Sequence, residues 1–468
     1  VIKYKLLIRN FSILLIFLLS FVYALTFFIV PFTDWDATFY PLIGKGILRY
    51  HILPYDYIFD HKPYLVYVFY YIWTQVEPIL NGRFAILAMV SMVFVAFMFG
   101  SAYGTNKWQT LFYLSIGSII GDYLGGNTEV LQIPLELSVI LMLSKGVQEH
   151  KIPLFFLAGI VSAIAVNINY LAGCVLSPII LYLLLGRVCT VVEFLACVIG
   201  GLVGLAGVFL PFLIAGHGKL AAYFAMQHHF LQHYGGGADE RMYTFALVAL
   251  YIAPLCPMLA LWFGKRDVWW GNLRERLLSL WFVFSVVAAI LSGHGFYHYF
   301  SLFLIPGMLI CLLLHRDGES VLSWRMMPLY LYAAFLMVSG IVSNINDMKR
   351  ARLTDPARIS QIVGHQKVLN INSDHSLYYL SDLETFDPIL FHRQIEIYFG
   401  PQAADHYMND LKQRPPFVLM PHAGCVNHTV APQVCSWVQD HYHPVYEAYK
   451  KKHPNRDDAR YYNLYKLN

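Results

Sequence analysis

Residues 34–71 read DWDATFYPLIGKGILRYHILPYDYIFDHKPYLVYVFYY, a polar insert from which the architecture of the chain can be worked out. It lies between two apolar segments and is the most polar part of the first hundred residues. Asp34, Asp36, Asp56, Asp60, His61 and Lys62 fall in it, among tyrosines and one tryptophan. A polar segment enclosed by apolar runs is expected where a polytopic membrane protein turns at the bilayer surface. The stretch therefore reads as a non-cytoplasmic loop between spans, and as the loop that carries the candidate active site.

Composition agrees. Of 468 residues 57% are hydrophobic and 13% charged, against roughly 25% charged in soluble proteins. The net charge of +4 is too small to point to nucleic acid, and no such partner is expected. The placement of Lys and Arg says more. Lys3, Lys5 and Arg9 precede an almost wholly apolar 11–31, which reads as an uncleaved first helix with a cytoplasmic N-terminus. Further spans are expected near 80–101, 107–121, 129–144, 152–168, 170–186, 189–214, 242–263, 277–292, 297–314 and 326–343. The alternation puts Lys107, Lys145, Lys151, Arg187, Lys265, Arg266, Arg274, Arg276, Arg316 and Arg325 inside. Lys45, Arg49, Lys62, Lys219 and Arg241 fall outside, with Arg83 at the start of a span. This is the bias that membrane insertion imposes. The outer cations run against it and call for another reason.

Beyond residue 343 the chain is polar. KVLNIN, PFVLM, HPVYEAY and ARYYNLYKL read as strands, and HRQIEIYFGPQAADHYMNDLKQ as helix broken at Pro401. The expected fold is mainly α: a polytopic membrane bundle of about eleven transmembrane helices, with interfacial helices in the first outer loop. Residues 1–344 would form this part, and 345–468 a small extracytoplasmic α/β domain. An oxidising compartment would let Cys425 and Cys435 pair. Cys174, Cys189, Cys197, Cys256 and Cys311 read as small apolar-segment residues.

The outer loops supply the candidate site. Asp34 and Asp36 follow the first helix, where a partly desolvated carboxylate can take a proton from a hydroxyl; the same spacing suits helix capping. Residues 52–73 read as a helix lying in the interface, with Asp60, His61 and Lys62 at headgroup depth. Lys62 there suits a lipid phosphate, or plain snorkelling. The loop GDYLGGNTEV, 121–130, brings Asp122, Asn127 and Glu129 to the membrane edge, as a functional group or as a capped turn. Residues 223–241 read as the longest polar outer loop, with His228, His229, His233, Tyr234 and Arg241. Histidines spaced HHxxxH without a fixed carboxylate are a weak metal signature, so no metal ligands are assigned and a divalent cation stays open as a cofactor. In 292–306, His294, Tyr297, His298 and Tyr299 face the same side or form an aromatic belt. No phosphate-cradling or dinucleotide motif is present, so a donor other than a nucleotide is expected.

The Asp-bearing loop after the first helix, the element PYxxxFxHKP, then GNTE and a late HYF together resemble the polytopic C-type glycosyltransferases. The likeness is to bacterial relatives of protein O-mannosyltransferases and of the lipid A aminoarabinose transferase, and it covers about residues 10–315. The resemblance implies a sugar donor on a polyprenyl-phosphate carrier at the outer face of a bacterial inner membrane. Asp36 matches the position of the family's catalytic base. Relatives carry Asp-Glu there and this chain Asp36-Ala37, with Asp34 as a nearby second carboxylate. Lys62 matches the lysine that meets the donor phosphate, with Arg241 and His61 as further candidates. Glu129 matches an acidic position at the start of the fourth span. Asn127, Tyr40, Tyr55, His229, Tyr234 and His298 complete the expected substrate pocket, and Trp35, Tyr40, Tyr55 and Tyr57 are candidates to stack on sugar or cover lipid. The implied step is a single inverting displacement by a hydroxyl of a glycan, lipid or protein acceptor. Membrane lipids are the remaining expected partners. A transporter or flippase for lipid-linked glycans, and a polymerase or ligase acting on them, are the alternatives.

Overall fold

Among the described residues helices form on the expected spans, because in lipid a backbone segment must satisfy its own polar groups; of the first span, 11–31, only 20–28 are described. The computed structural model describes residues 20–28, 35–54, 58–76, 83–234, 238–264, 272–316, 325–351, 355–373, 375–390, 392–421, 424–425, 428–447 and 462–468. Residues 20–28 are helical. The bundle continues with Arg83–Tyr103, Lys107–Ile120, Glu129–Glu149, Ile152–Val166, Leu171–Leu185, Val191–Ile214, Ala238–Ile252 with Cys256–Gly264, Leu273–Leu291, Ser301–Arg316 and Met327–Ala351. Among the described residues six helical segments are long and apolar enough to cross a membrane, and Ile152–Val166 and Leu171–Leu185 are shorter apolar helices. The chain is an integral membrane protein.

Burial orders the bundle. Every residue from Ser301 to Leu314 is buried, which puts this helix at the centre. Val191–Ile214 lies at the edge and exposes Val192, Leu195, Ile199 and Leu202, as a lipid-facing helix should. It starts at a capping box, with Thr190 accepting from the Glu193 N–H and Glu193 reaching back to Thr190. Its crossing with Ile152–Val166 is tight because Gly159 has no side chain. A Cβ there would lie 1.9 Å from the Cys197 carbonyl oxygen.

The first loop folds as two helices, Trp35–Tyr50 and Tyr64–Val76, joined by non-helical backbone. The interfacial helix expected from residue 52 starts only at Tyr64. Pro63 supplies no N–H and suits a helix start rather than an interior. Gly44 lets the two helices touch, since a Cβ there would meet the Tyr67 carbonyl oxygen at 2.2 Å. Residues 223–241 differ more from expectation. Of these, 223–234 lie in the helix His217–Tyr234 and 238–241 in the helix Ala238–Ile252, and 235–237 lie outside the described residues. The run AAYFAMQHHFLQHY lacks Gly and Pro, so nothing in it interrupts a helix.

Near the C-terminus five strands form one sheet in the order β2-β1-β3-β5-β4: β1 (Lys367–Asn370), β2 (Glu384–Thr385), β3 (Phe417–Pro421), β4 (Tyr442–Glu447) and β5 (Tyr462–Leu467). β1 runs parallel to β2 and β3, while β5 runs antiparallel to β3 and β4. The strands alternate faces. Val368, Phe417, Leu419 and Leu464 join the core of the bundle. Leu369, Val418 and Met420 pack on the other side with the helices His392–Phe399, Ala403–Lys412 and Pro432–His441. The sheet is thus sandwiched between the bundle and its own helices. The helix break at Pro401 is present, as the short 3-10 turn Gly400–Gln402. Cys425 and Cys435 form a disulfide. Of the other cysteines Cys197 and Cys311 are buried and Cys256 is exposed, on a helix whose outer face is apolar.

Candidate functional site

The loop between Lys107–Ile120 and Glu129–Glu149 meets the first-loop helices at one end of the bundle. Tyr70 OH donates to the Gly126 carbonyl at 2.5 Å. Tyr40 OH donates to Asn127 Oδ1 at 3.0 Å, and the same oxygen accepts the Thr128 N–H at 2.7 Å. With its oxygen fixed, Asn127 turns its amide toward Asp36, donating from Nδ2 to Oδ2 at 3.4 Å. Asp36 is half-buried in the first turn of Trp35–Tyr50. Burial pushes its carboxyl up. The charges of Lys62, His298 and His61 and the Asn127 hydrogen bond together outweigh burial and hold it below the ordinary value.

Lys62 is 5% exposed, which for an ammonium requires neighbours that answer its charge. Its Nζ donates to Tyr299 OH at 3.4 Å and lies 5.5 Å from the centre of that ring. Its backbone carbonyl is pinned by Tyr67 OH at 2.8 Å and by Gln227 Nε2 at 3.4 Å. His298 is within electrostatic range of Asp36, Lys62 and Glu129, and its Nε2 is buried without a hydrogen bond. Glu129 is 1% exposed. Its Oε1 accepts from Asn169 Nδ2 at 3.0 Å and Thr128 Oγ1 at 3.2 Å, and its Oε2 is buried without a bond. The site thus holds an ionised carboxylate, a cation and two unspent polar atoms, in a largely dry setting where charge interactions are strong.

The structure brings Asp36, Lys62, His61, Asn127, Tyr40, Glu129 and His298 together. His61 stacks on Phe230 at 4.7 Å, with Nδ1 3.0 Å from Asp60 Oδ1. His229 is exposed and packs its ring against Tyr398 at 4.8 Å. Arg241 is exposed on Ala238–Ile252, and no described contact ties it to Lys62. Asp34, Tyr55 and Tyr57 lie outside the described residues, as do the side chains of Trp35 and Tyr234. Asp122 belongs to the neighbouring turn, where burial lifts its carboxyl to about 7.

Three participants carry no motif. Asp60 is 2% exposed, and its carboxylate accepts Gln394 Nε2 at 2.7 Å and Tyr67 OH at 3.1 Å. Gln394 comes from the C-terminal part, and beside it the Phe59 N–H donates to the Pro388 carbonyl at 2.7 Å. Asn169 reaches Glu129 from the turn before Leu171–Leu185. In sequence, only the polarity of Asn169 at the end of an apolar run marks it. Gln394 gives no signal at all, because its partner is 334 residues away. Gln394→Leu leaves a buried carboxylate oxygen without its donor, which costs about 1–3 kcal/mol. A lowered melting temperature of the purified chain, larger than that for Gln413→Leu at the exposed Gln413, is the expected measurement.

No protein-family model and no curated protein sequence matches this chain. Solved structures do. The chain aligns with ArnT from Cupriavidus metallidurans bound to undecaprenyl phosphate at a TM-score of 0.62 and 11% identity, covering 98% of each chain. It aligns with the apo state of the same protein at 0.61 and 11%, covering 97% of each. The chain therefore shares its polytopic fold with ArnT over almost its whole length.

Proposed function

We propose that this protein is a membrane glycosyltransferase that takes a sugar from undecaprenyl phosphate, or a polyprenyl phosphate like it, and passes it to a hydroxyl of a cell-envelope acceptor. The observation that carries this reading is the convergence of Asp36 and Lys62, from separate segments, at one end of a bundle with the ArnT fold. ArnT holds undecaprenyl phosphate, and Lys62 is the cation here suited to the phosphate of such a lipid. As the sugar leaves, charge grows on the bridging phosphate oxygen. A preorganised ammonium in a dry site stabilises that charge. Asp36 takes the proton of the acceptor hydroxyl as it attacks the anomeric carbon from the opposite face, so configuration inverts. Glu129 Oε2 and His298 Nε2 are the groups left to meet sugar or acceptor hydroxyls.

The same reading puts the site and residues 345–468, as a domain beyond the 1–344 bundle, on the outer side of a bacterial inner membrane. The Cys425–Cys435 disulfide supports an oxidising compartment for that region. The test is to give the purified chain a panel of polyprenyl-phosphate sugars and follow release of the free lipid phosphate. Release from at least one donor, with sugar appearing on an added acceptor in inverted configuration, is expected. No release from any donor would remove the transferase reading.

A further inference from the structure

We propose that Asp387, His406 and Asp410 form a divalent metal site of the zinc class in the C-terminal α/β part, separate from the Asp36–Lys62 cluster. His406 and Asp410 stand one turn apart on Ala403–Lys412 and so share a helix face. Asp387 comes from the segment after β2. One donor atom from each lies within 4.8 Å of the other two. His406 Nε2 touches Asp387 Oδ2 and lies 3.6 Å from Asp410 Oδ2. Tetrahedral zinc with bonds of about 2.0–2.2 Å sets its ligand atoms about 3.3 Å apart. The His406–Asp410 edge is already near that length, and only Asp387 has to draw back from hydrogen-bond contact.

A second observation points the same way. Asp410 Oδ2 is buried without a hydrogen bond, on a side chain only 13% exposed. Two carboxylates facing each other at such a buried oxygen call for a proton or a cation between them. The surroundings are those of a metal ligand set. The Ile389 N–H holds Asp387 Oδ1 at 2.8 Å, the kind of outer bond that fixes a ligating carboxylate. Phe399 stacks on the His406 ring at 4.2 Å and leaves the ring edge, where the lone pair lies, to the two carboxylates. Two carboxylates and a neutral imidazole balance a doubly charged ion, and the imidazole favours zinc over magnesium or calcium. Three protein ligands leave a fourth position for water.

The ion would tie the segment after β2 to the helix Ala403–Lys412. Pro388 follows Asp387 directly, and its carbonyl accepts the Phe59 N–H. The metal would therefore stiffen the seam that supports the segment leading to Lys62. This inference stands independently of the proposed transfer reaction.

The test uses the purified full chain, stripped with chelator and titrated with Zn²⁺ by calorimetry, with Mn²⁺ and Mg²⁺ in parallel and thermal melts of each. One saturable Zn²⁺ per chain is expected, with a dissociation constant of about 10 µM or below, and a melting temperature raised by the ion. Asp410→Asn and His406→Gln should each weaken binding by about 100-fold or more and abolish the thermal gain, while His228→Ala and His229→Ala leave both intact. Asp410→Asn keeps the shape of the side chain and decides the matter if His406→Gln does not fold. No saturable binding, binding of Mg²⁺ alone, or Zn²⁺ binding that survives both variants (an adventitious ion only) would overturn the proposal.

Discussion

Asp36→Asn is expected to reduce sugar transfer by about 1,000-fold or more, roughly 4 kcal/mol of transition-state stabilisation, with the chain still inserted and folded. Asn keeps the shape of the side chain and a carbonyl oxygen that can accept from Asn127, so the local packing survives. It cannot take a proton, and it brings no charge to Lys62. Donor binding should change far less than turnover, because the proton moves only as the acceptor attacks. The pH profile gives an independent reading. The neighbouring cations hold the Asp36 carboxyl below its ordinary value, so it is ionised throughout the neutral range. Wild-type transfer should stay level from neutral pH downward and fall only in acid, as Asp36 is protonated. Full turnover by the Asn variant would remove Asp36 from the reaction, and an acid limb centred near neutrality would remove the electrostatic account of it.

Lys62→Met is expected to raise KM for the donor by about 100-fold, close to 3 kcal/mol, and to lower kcat as well. Met fills a similar volume, and Tyr67 and Gln227 hold the backbone at this position rather than the side chain, so the segment keeps its path. The missing part is the ammonium beside Tyr299. Product inhibition by undecaprenyl phosphate should weaken in parallel, because the free lipid carries the same phosphate. Lys62 is also the largest of the influences holding the Asp36 carboxyl down against burial. Without it the Asp36 value rises, and the acid limb of the remaining activity moves to higher pH. A Lys62→Met enzyme with wild-type KM, the same inhibition by free lipid phosphate and an unshifted profile would show that Lys62 does not meet the donor.

The membrane class, the helical spans, the C-terminal strands and the segments that hold the polar groups could be read from the residues alone. These follow from composition and local period, which act over a few residues: an apolar run of span length can satisfy its backbone only as helix, and β1, β3, β4 and β5 announce themselves by their apolar and aromatic runs. The residue types at Asp36, Lys62 and Glu129 were legible for the same reason, as charges standing at the edges of apolar segments. Short elements without a pattern were not: β2 has two residues, Glu384 and Thr385, and exists only because β1 offers it an edge. The reading of 223–241 as one long loop failed over 223–234, where polarity was taken for irregularity; that polar run has no Gly or Pro and is free to be helix at a bundle's end. Which partner each charged side chain finds depends on packing between distant segments. Asp60 is held by Gln394, Lys45 pairs with Asp382 at 2.5 Å, and Arg83 donates to Tyr379 OH at 2.6 Å. Each pair spans about 300 residues of sequence, and no local period encodes a contact made only when the sheet packs its inner face onto the bundle.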